Sequence, residues 1–277
     1  MKDKYAVIGN PIAHSKSPQI HAMFAQQTAQ DISYEAILVP AGKDNFAAEV
    51  IKLSKAGYKG CNVTVPFKQT AYQLTLAGIT LTPSEDVRYA MAANTLKFLN
   101  GAIQLENTDG IGLVRDLTKN LFAQLRGKKL LLIGAGGAAR GVIAPLHNAG
   151  ANITIANRTA EKAYMLAERF ESAISSCGFE ELADNQFDFI INATSAGLKD
   201  EMPNIPKNIF ATGSLAYDMM YGRVTPFMKF ARDHGAEMVT DGLGMLVEQA
   251  AESFRIWRGH DLKLNTTPVI AALRNAQ

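Results

Sequence analysis

The sequence has little of what holds small or metal-dependent proteins together. It carries two cysteines in 277 residues, Cys61 and Cys177, far apart and in no C-x-x-C pair. That excludes a disulfide framework and a thiolate metal site. Its five histidines, His14, His21, His147, His234 and His260, show no H-E-x-x-H or H-x-x-H spacing, so no metal is expected. Charge of one sign is also lacking. Lys plus Arg number 28 against 26 Asp plus Glu, and no basic stripe stands out, so nothing points to nucleic acid. Long apolar runs are missing too. The densest, residues 130–151, is broken by Gly134, Gly136, Gly137, Arg140 and Pro145 and cannot be a membrane-spanning helix. The opening MKDKYAVIGNP has too short an apolar run for a signal-peptide core. A soluble cytosolic chain with reduced thiols is the expectation. What is present is globular composition, 47% hydrophobic and 19% charged, at a length that suggests about two domains.

Strand and helix signals alternate from end to end. Residues 5–9, 34–39 and 59–65 read as strands, and residues 46–55 and a stretch from Phe67 as helices. Ser17-Pro18 opens another helix, with Ser17 as N-cap and Pro18 at the first helical position. Residues 77–86, rich in Gly, Thr, Pro and Ser, read as a loop. Residues 96–99 and 102–105 flank Asn100-Gly101, a hairpin signal. The pattern restarts near residue 106. A helix is expected over 110–125, a strand over 130–133, a helix over 138–149, a strand over 153–156 and a helix over 160–170. Further strands fall at 189–191, 215–218 and 237–239, and closing helices at 245–257 and 268–274. Buried strands alternating with helices imply an α/β fold built on mainly parallel sheet covered on both faces.

The strand 130–133 runs straight into GAGGAAR, residues 134–140. Glycines between a strand and a helix make a tight turn that lets a pyrophosphate approach the backbone at a helix N-terminus. The third position of the G-x-G-x-x-G pattern is Ala139, a small residue that suits it. The bland alternative is an ordinary strand–helix turn with packing glycines. About 20 residues beyond the turn an NAD site places a carboxylate for the ribose 2′-hydroxyl. Here stand Asn157, Arg158 and Thr159, with no carboxylate, and Lys162 follows four residues after Arg158. A planar cation suits a phosphate dianion, which predicts NADP. A surface arginine beside a capping Asn157 is the alternative.

In the first half, GCNVTVPFK at 60–68 alternates. Val63, Val65 and Phe67 would share one strand face, and Asn62, Thr64 and, if extension continues, Lys68 the other. Such a row suits a small polyhydroxylated ligand, or is a half-exposed strand with a solvated lysine. Asp109 in ENTDG is a candidate N-cap whose second oxygen stays free for a lysine or a hydroxyl. Ser15 shares the loop before Pro18 with Ser17. Asn94-Thr95 opens a strand or serves plain turn chemistry. Met245 and Gln249, four apart, share a helix face, the methionine suited to the core and the amide to a specificity contact. Phe254 and Trp257 suit the core.

GNPIAHSKSP at 9–18, NVTVPFK at 62–68, NTDG at 107–110, LIGAGGAAR at 132–140, NRT at 157–159, INATS at 191–195, YDMMY at 217–221 and DGLGMLVEQ at 241–249 occur in this order. Together they resemble the shikimate dehydrogenase family over nearly the whole chain. The resemblance implies an N-terminal substrate and catalytic α/β domain over 1–106, an NADP-binding Rossmann domain over 107–241, and C-terminal helices over 242–277 that pack back on the first domain. It implies reversible NADPH-dependent reduction of 3-dehydroshikimate to shikimate, in aromatic amino-acid biosynthesis. By resemblance, Ser15, Ser17 and Tyr221 would bind the substrate carboxylate. Thr64, Asn94 and Gln249 would bind ring hydroxyls with Asn62 nearby, and Lys68 and Asp109 would be the catalytic pair. Gly134, Ala135, Gly136, Gly137 and Ala138, with Asn157, Arg158, Thr159 and Lys162, would hold NADP. Met219 and Gly242 would line the nicotinamide. A homodimer stays an open expectation. Two departures stand out: Met91 occupies the family's usual glycine and Ala93 its usual valine, and the 77–86 loop looks longer than usual, with Glu85 the candidate for a family acidic residue there.

Hydride addition to a ketone builds negative charge on its oxygen, so a proton donor is needed. Lys68 can donate as an ammonium, oriented by Asp109; burial disfavours that charge and the carboxylate favours it. Three other readings share parts of the pattern. They are a quinate/shikimate dehydrogenase using NAD, a silent nucleotide-binding paralogue, and a Rossmann reductase of another carbonyl.

Overall fold

The structure, a computed structural model, describes residues 2–76, 78–170, 173–183 and 185–276. The chain divides into two compact units, Met1–Gly112 with Val247–Ala276, and Leu113–Leu246. Among the described residues each unit holds one six-stranded sheet.

The first stretch runs β1 (Asp3–Gly9), α1 (Ser17–Gln27), β2 (Ile32–Leu38), α2 (Lys43–Lys55), β3 (Tyr58–Val63), α3 (Lys68–Tyr72), β4 (Thr80–Pro83), α4 (Glu85–Ala90), β5 (Thr95–Leu99), β6 (Ala102–Glu106) and α5 (Asp109–Arg115). The sheet order is β2-β1-β3-β5-β6-β4. Strands β1, β2 and β3 are parallel, whereas β5 runs antiparallel to both β3 and β6. Alternation along β1 explains its two faces. Ala6 and Ile8 join Phe46, Val50, Leu53 and Phe67 in one core, while Tyr5 meets Ile256 and Trp257 on the other side. Leu99 pairs with Ala102 across the hairpin, and Gly101 takes a left-handed backbone (φ 73°).

The second stretch runs β7 (Lys129–Ile133), α6 (Gly137–Asn148), β8 (Asn152–Asn157), α7 (Ala160–Ala167), β9 (Ser175–Gly178), β10 (Phe187–Asn192), β11 (Phe210–Asp218), α8 (Pro226–Asp233), β12 (Met238–Asp241), α9 (Leu243–Arg258) and α10 (Thr267–Asn275). Its sheet is parallel throughout, in the order β9-β8-β7-β10-β11-β12. Numbered within the unit that is 3-2-1-4-5-6, the doubly wound dinucleotide-binding order. Leu130 and Leu132 face a core with α6 and α7, and Leu131 and Ile133 face one with Phe227 and Ala231 of α8. Both faces are covered, so the strands read as continuous apolar runs. No helix of the described residues is long and apolar enough to cross a membrane.

Several local expectations change. Extension stops at Val63, because Thr64 starts a turn and Lys68 opens α3; Val65 is exposed and Phe67 buried. The 77–86 loop, whose residue 77 lies outside the described residues, contains the edge strand β4 and the start of α4. Ser84 caps α4, its Oγ accepting from the Val87 N–H at 3.4 Å. Met91 ends α4 in the left-handed region (φ 50°), where glycine is the usual residue. Ser17 lies inside α1, with Lys16 at the N-cap and Ser15 Oγ accepting from the Ser17 N–H at 3.3 Å. The helix expected over 110–125 ends early. After α5 comes a π-helical turn, Asp116–Asn120, and Phe122 then breaks the pattern with φ 54° and 84% exposure. The helix expected to reach residue 170 ends at Ala167, followed by a 3-10 turn.

Candidate active site

In the parallel part of the first sheet, the strand carboxyl ends bring the polar residues to one side, where α/β sheets hold ligands. Ser15 and Ser17 follow β1, Thr64 follows β3, and Lys68 opens the next helix. The Thr64 N–H donates to the Ile8 carbonyl at 3.0 Å, tying the two strand ends together. Asn94 directly precedes β5. Its N–H donates to the Glu106 carbonyl at 3.0 Å and its carbonyl accepts from the Val63 N–H at 2.8 Å, so the sheet itself fixes its place despite Met91 and Ala93 before it.

Lys68 and Asp109 meet. Nζ donates to Asp109 Oδ2 at 2.6 Å, with the lysine side chain 30% exposed and the carboxylate 10%. Asp109 is the first residue of α5. Asn107 Oδ1 accepts from the Asp109 N–H at 3.1 Å. The second oxygen, Asp109 Oδ1, accepts from Asn94 Nδ2 at 2.9 Å. Asn94 Nδ2 also lies 3.0 Å from Thr108 Oγ1 and 3.3 Å from Gln249 Oε1, on α9. Asn62 is 6% exposed and fully engaged. Its Oδ1 accepts from the Tyr34 hydroxyl at 2.7 Å, and its Nδ2 faces the Asn94 carbonyl, Thr95 Oγ1 and Ser253 Oγ at 3.0–3.1 Å.

Tyr34, Thr95, Thr108 and Ser253 join the cluster although none is a candidate site residue from the sequence. For Ser253 the signal was its spacing, four residues after Gln249 on one helix face. For Thr95 and Thr108 it was adjacency to Asn94 and Asp109. Tyr34 left no local signal, since its hydroxyl reaches Asn62 across the sheet.

In the second unit the glycine turn sits between β7 and α6. Gly134 has φ 110°, and a Cβ there would meet Thr194 Cγ2 at 3.1 Å. A Cβ at Gly136 would meet nothing within 4 Å, and Gly136 caps α6 with no side-chain bond. Open space thus lies before a helix start bearing free N–H groups, the chemistry a pyrophosphate needs. Ala135, Gly137 and Ala138 complete the turn. At the end of β8, Asn157 Nδ2 donates to the Thr159 carbonyl at 2.9 Å and no side chain caps α7. Arg158, Thr159 and Lys162 are exposed. These residues fit NADP.

After β11, buried Asp218 holds a turn, accepting from the Thr225 hydroxyl at 2.5 Å, the Met220 N–H at 3.0 Å and Asn192 Nδ2 at 3.2 Å. Burial pushes its carboxyl above the ordinary range. Met219 N–H donates to the Asn192 carbonyl at 3.0 Å, and Gly242 N–H to the Met220 carbonyl at 2.8 Å, so Met219 and Gly242 are neighbours. Tyr221, 36% exposed, belongs to this unit, whereas Ser15 and Ser17 belong to the first.

A doubly wound parallel sheet with a phosphate-ready turn, and a lysine–carboxylate pair in a hydrogen-bonded polar cluster, define an α/β dehydrogenase of the dinucleotide-binding class. Family models match along the chain: the shikimate dehydrogenase substrate binding domain over residues 7–96, shikimate / quinate 5-dehydrogenase over 116–199, and the shikimate 5′-dehydrogenase C-terminal domain over 242–274. The chain is 54% identical to a shikimate dehydrogenase (NADP(+)) of Methylobacillus flagellatus, over 99% of this chain and all of that one. It is similar to the crystal structure of an Ael1 enzyme from Pseudomonas putida, with a TM-score of 0.91 and 44% identity over 98% of both chains. It is also similar to shikimate 5-dehydrogenase from Thermus thermophilus, solved with NADP(H) and shikimate, with a TM-score of 0.85, 31% identity, and coverage of 99% of this chain and 100% of that one. The chain belongs to the shikimate dehydrogenase family.

Proposed function

We propose that this protein catalyses the reversible NADPH-dependent reduction of 3-dehydroshikimate to shikimate. The observation that carries the chemistry is the Lys68–Asp109 pair at 2.6 Å, with Asn94 filling the second carboxylate oxygen. NADPH, when bound, supplies the hydride. Lys68 delivers a proton from Nζ to the ketone oxygen as negative charge develops there, and takes it back in the reverse direction. Asp109 keeps the ammonium aimed, because its other oxygen is already occupied and the carboxylate cannot swing away without losing both bonds.

In this reading Ser15 and Ser17 bind the substrate carboxylate, and Thr64, Asn94 and Gln249 read the ring hydroxyls. Asn62, whose amide is satisfied internally, supports these residues from behind. The 134–138 turn holds the pyrophosphate, and Asn157, Arg158, Thr159 and Lys162 hold the 2′-phosphate. Met219 and Gly242 line the nicotinamide. The substrate domain is the first unit, including the helices after Val247, and the NADP domain is the second. A homodimer and a cytoplasmic location complete the proposal, the latter resting on two free, buried cysteines.

The test is nicotinamide absorbance with NADP or NAD against shikimate or quinate. Turnover fastest with shikimate and NADP is the expected result. Faster turnover with quinate and NAD, or none with shikimate, overturns the reading.

A further inference from the structure

The amide behind the Lys68–Asp109 pair can be oriented from chemistry alone. A backbone N–H only donates, so the Thr108 N–H, 2.9 Å from Asn94 Oδ1, fixes which end of that amide is oxygen. The amino end therefore faces Asp109. Thr95 Oγ1 lies 3.0 Å from the same Asn94 oxygen, which can only accept, so any bond between them is donated by Thr95. Either hydroxyl can donate in the 2.7 Å contact between Thr95 and Ser253; the direction that continues the Thr95 bond to Asn94 uses the Ser253 proton. Ser253 in turn accepts from Asn62 Nδ2 at 3.0 Å and lies 3.3 Å from Thr108 Oγ1. Asn62 can spend its amino protons this way because the Tyr34 hydroxyl holds its oxygen. The Gln249 carbonyl, 3.1 Å from Ser253 Oγ, competes for the serine proton.

Every group in this relay is buried, and Thr95 and Ser253 are fully so. In such a place a misdirected proton is costly, because water cannot repair it. Turning the Asn94 amide over would set its oxygen against the Asp109 carboxylate and its amino group against the Thr108 N–H.

We propose that Ser253 is a positioning residue of the reaction. It drives a one-way relay, Ser253 to Thr95 to Asn94 to Asp109, that locks the Asn94 amide and so aims the Lys68 ammonium. This rests on the reading of Lys68 as proton donor and extends the machinery to a residue that touches neither substrate nor cofactor.

The test uses the full-length enzyme with NADP and shikimate, with kcat counted per NADP-binding site so that unfolded protein does not enter. Ser253→Ala lowers kcat about three- to tenfold, the scale of one internal hydrogen bond, and leaves the NADP Kd unchanged. Thr95→Val, close in shape, gives the same signature. The double variant is no worse than the poorer single one, because both break one relay. Ser253→Cys, which keeps a weak donor, falls between wild type and Ser253→Ala.

A Ser253→Ala enzyme that melts earlier but keeps its kcat per site overturns the proposal, as do losses that multiply in the double variant. If Ser253→Ala does not fold, Thr95→Val and Ser253→Cys decide by the same criteria: normal kcat in both overturns it. Lys68→Ala separates the two levels. Normal turnover there overturns the parent reading, whereas normal turnover in Ser253→Ala beside a disabled Lys68→Ala overturns the relay alone.

Discussion

The two units build their sites by opposite means. The second uses backbone and local sequence: a strand, a turn of glycines and a helix start within residues 129–148 make the proposed phosphate site. The first uses side chains gathered from far apart. Lys68 and Asp109 are 41 residues apart in sequence, and Asn62 and Ser253 are 191 apart. A backbone site tolerates change in its side chains but not in its glycines. A side-chain network tolerates neither loss nor misdirection of its donors, since each buried polar atom left alone costs about 1 to 3 kcal/mol.

The contrast is sharpest at Lys68. Lys68→Ala should cut turnover by about 10² to 10⁴, the usual worth of a positioned proton donor, while NADP Kd holds steady. Steady-state rates and a cofactor titration check both halves. A variant that loses cofactor affinity along with turnover breaks the separation between the two sites.

Arg158→Ala should weaken NADP binding about 10- to 100-fold, the worth of charge-assisted hydrogen bonds to a phosphate, and leave NAD binding unmoved. Calorimetric titration with each cofactor decides it, and an equal loss for both would remove Arg158 from the 2′-phosphate.

Within the turn, two glycines should part company. Gly134→Ala forces a side chain onto φ 110° and should cost about 1 to 3 kcal/mol of stability. Gly136→Ala meets open space, so its melting temperature should stay near wild type while NADP affinity falls, because the added methyl enters the phosphate's place. Thermal melts with and without NADP separate them. Equal behaviour would mean that Gly136 serves the fold and not the ligand.

The same contrast governs what could be read in the sequence. The second unit was legible because each signal is local: alternation is absent from fully buried strands, glycines mark the turn, and Arg158 stands where a carboxylate is missing. Its omissions were also local. Thr225-Pro226 carries the same start signal as Ser17-Pro18, and Thr225 Oγ1 does accept from the Met228 N–H at 3.3 Å, yet α8 went unread. In the first unit, the alternation that would put Lys68 on a strand face stops at Val63, and Lys68 falls instead in the helix expected from about Phe67. The motifs named the residues, but nothing in their spacing shows that the Asp109 carboxylate takes up Lys68 and Asn94 together. Nor does it show that Asn62 is shut in by Tyr34 and Ser253. Those are facts of packing between distant segments.

His21 gives the smallest effect and the finest comparison. Its ring is fully buried, stacked on Tyr34 at 4.2 Å between centroids, with Phe254 and Trp257 near. The Asn62 amide beside it is spent on Asn94, Thr95 and Ser253, so neither ring nitrogen has a partner among the described residues. Burial pushes the imidazole from 6.5 down to about 3. A depressed value means the folded state rejects a proton the unfolded chain accepts. The stability this lends is whole above about pH 6.5 and drains as pH falls toward 3. Asp218 in the second unit has the opposite sign: burial raises it, so its contribution is whole in acid and is lost as pH rises through its folded value. Acidification from pH 6.5 toward 4 should therefore loosen α1 and β2 before β11 in hydrogen exchange. His21→Phe, which gives the aromatic cage an uncharged ring, should flatten that acid loss while changing stability at pH 7 by about 1 kcal/mol or less. If acid lowers protection in α1 equally in both proteins, the imidazole is not what makes the first unit acid-sensitive.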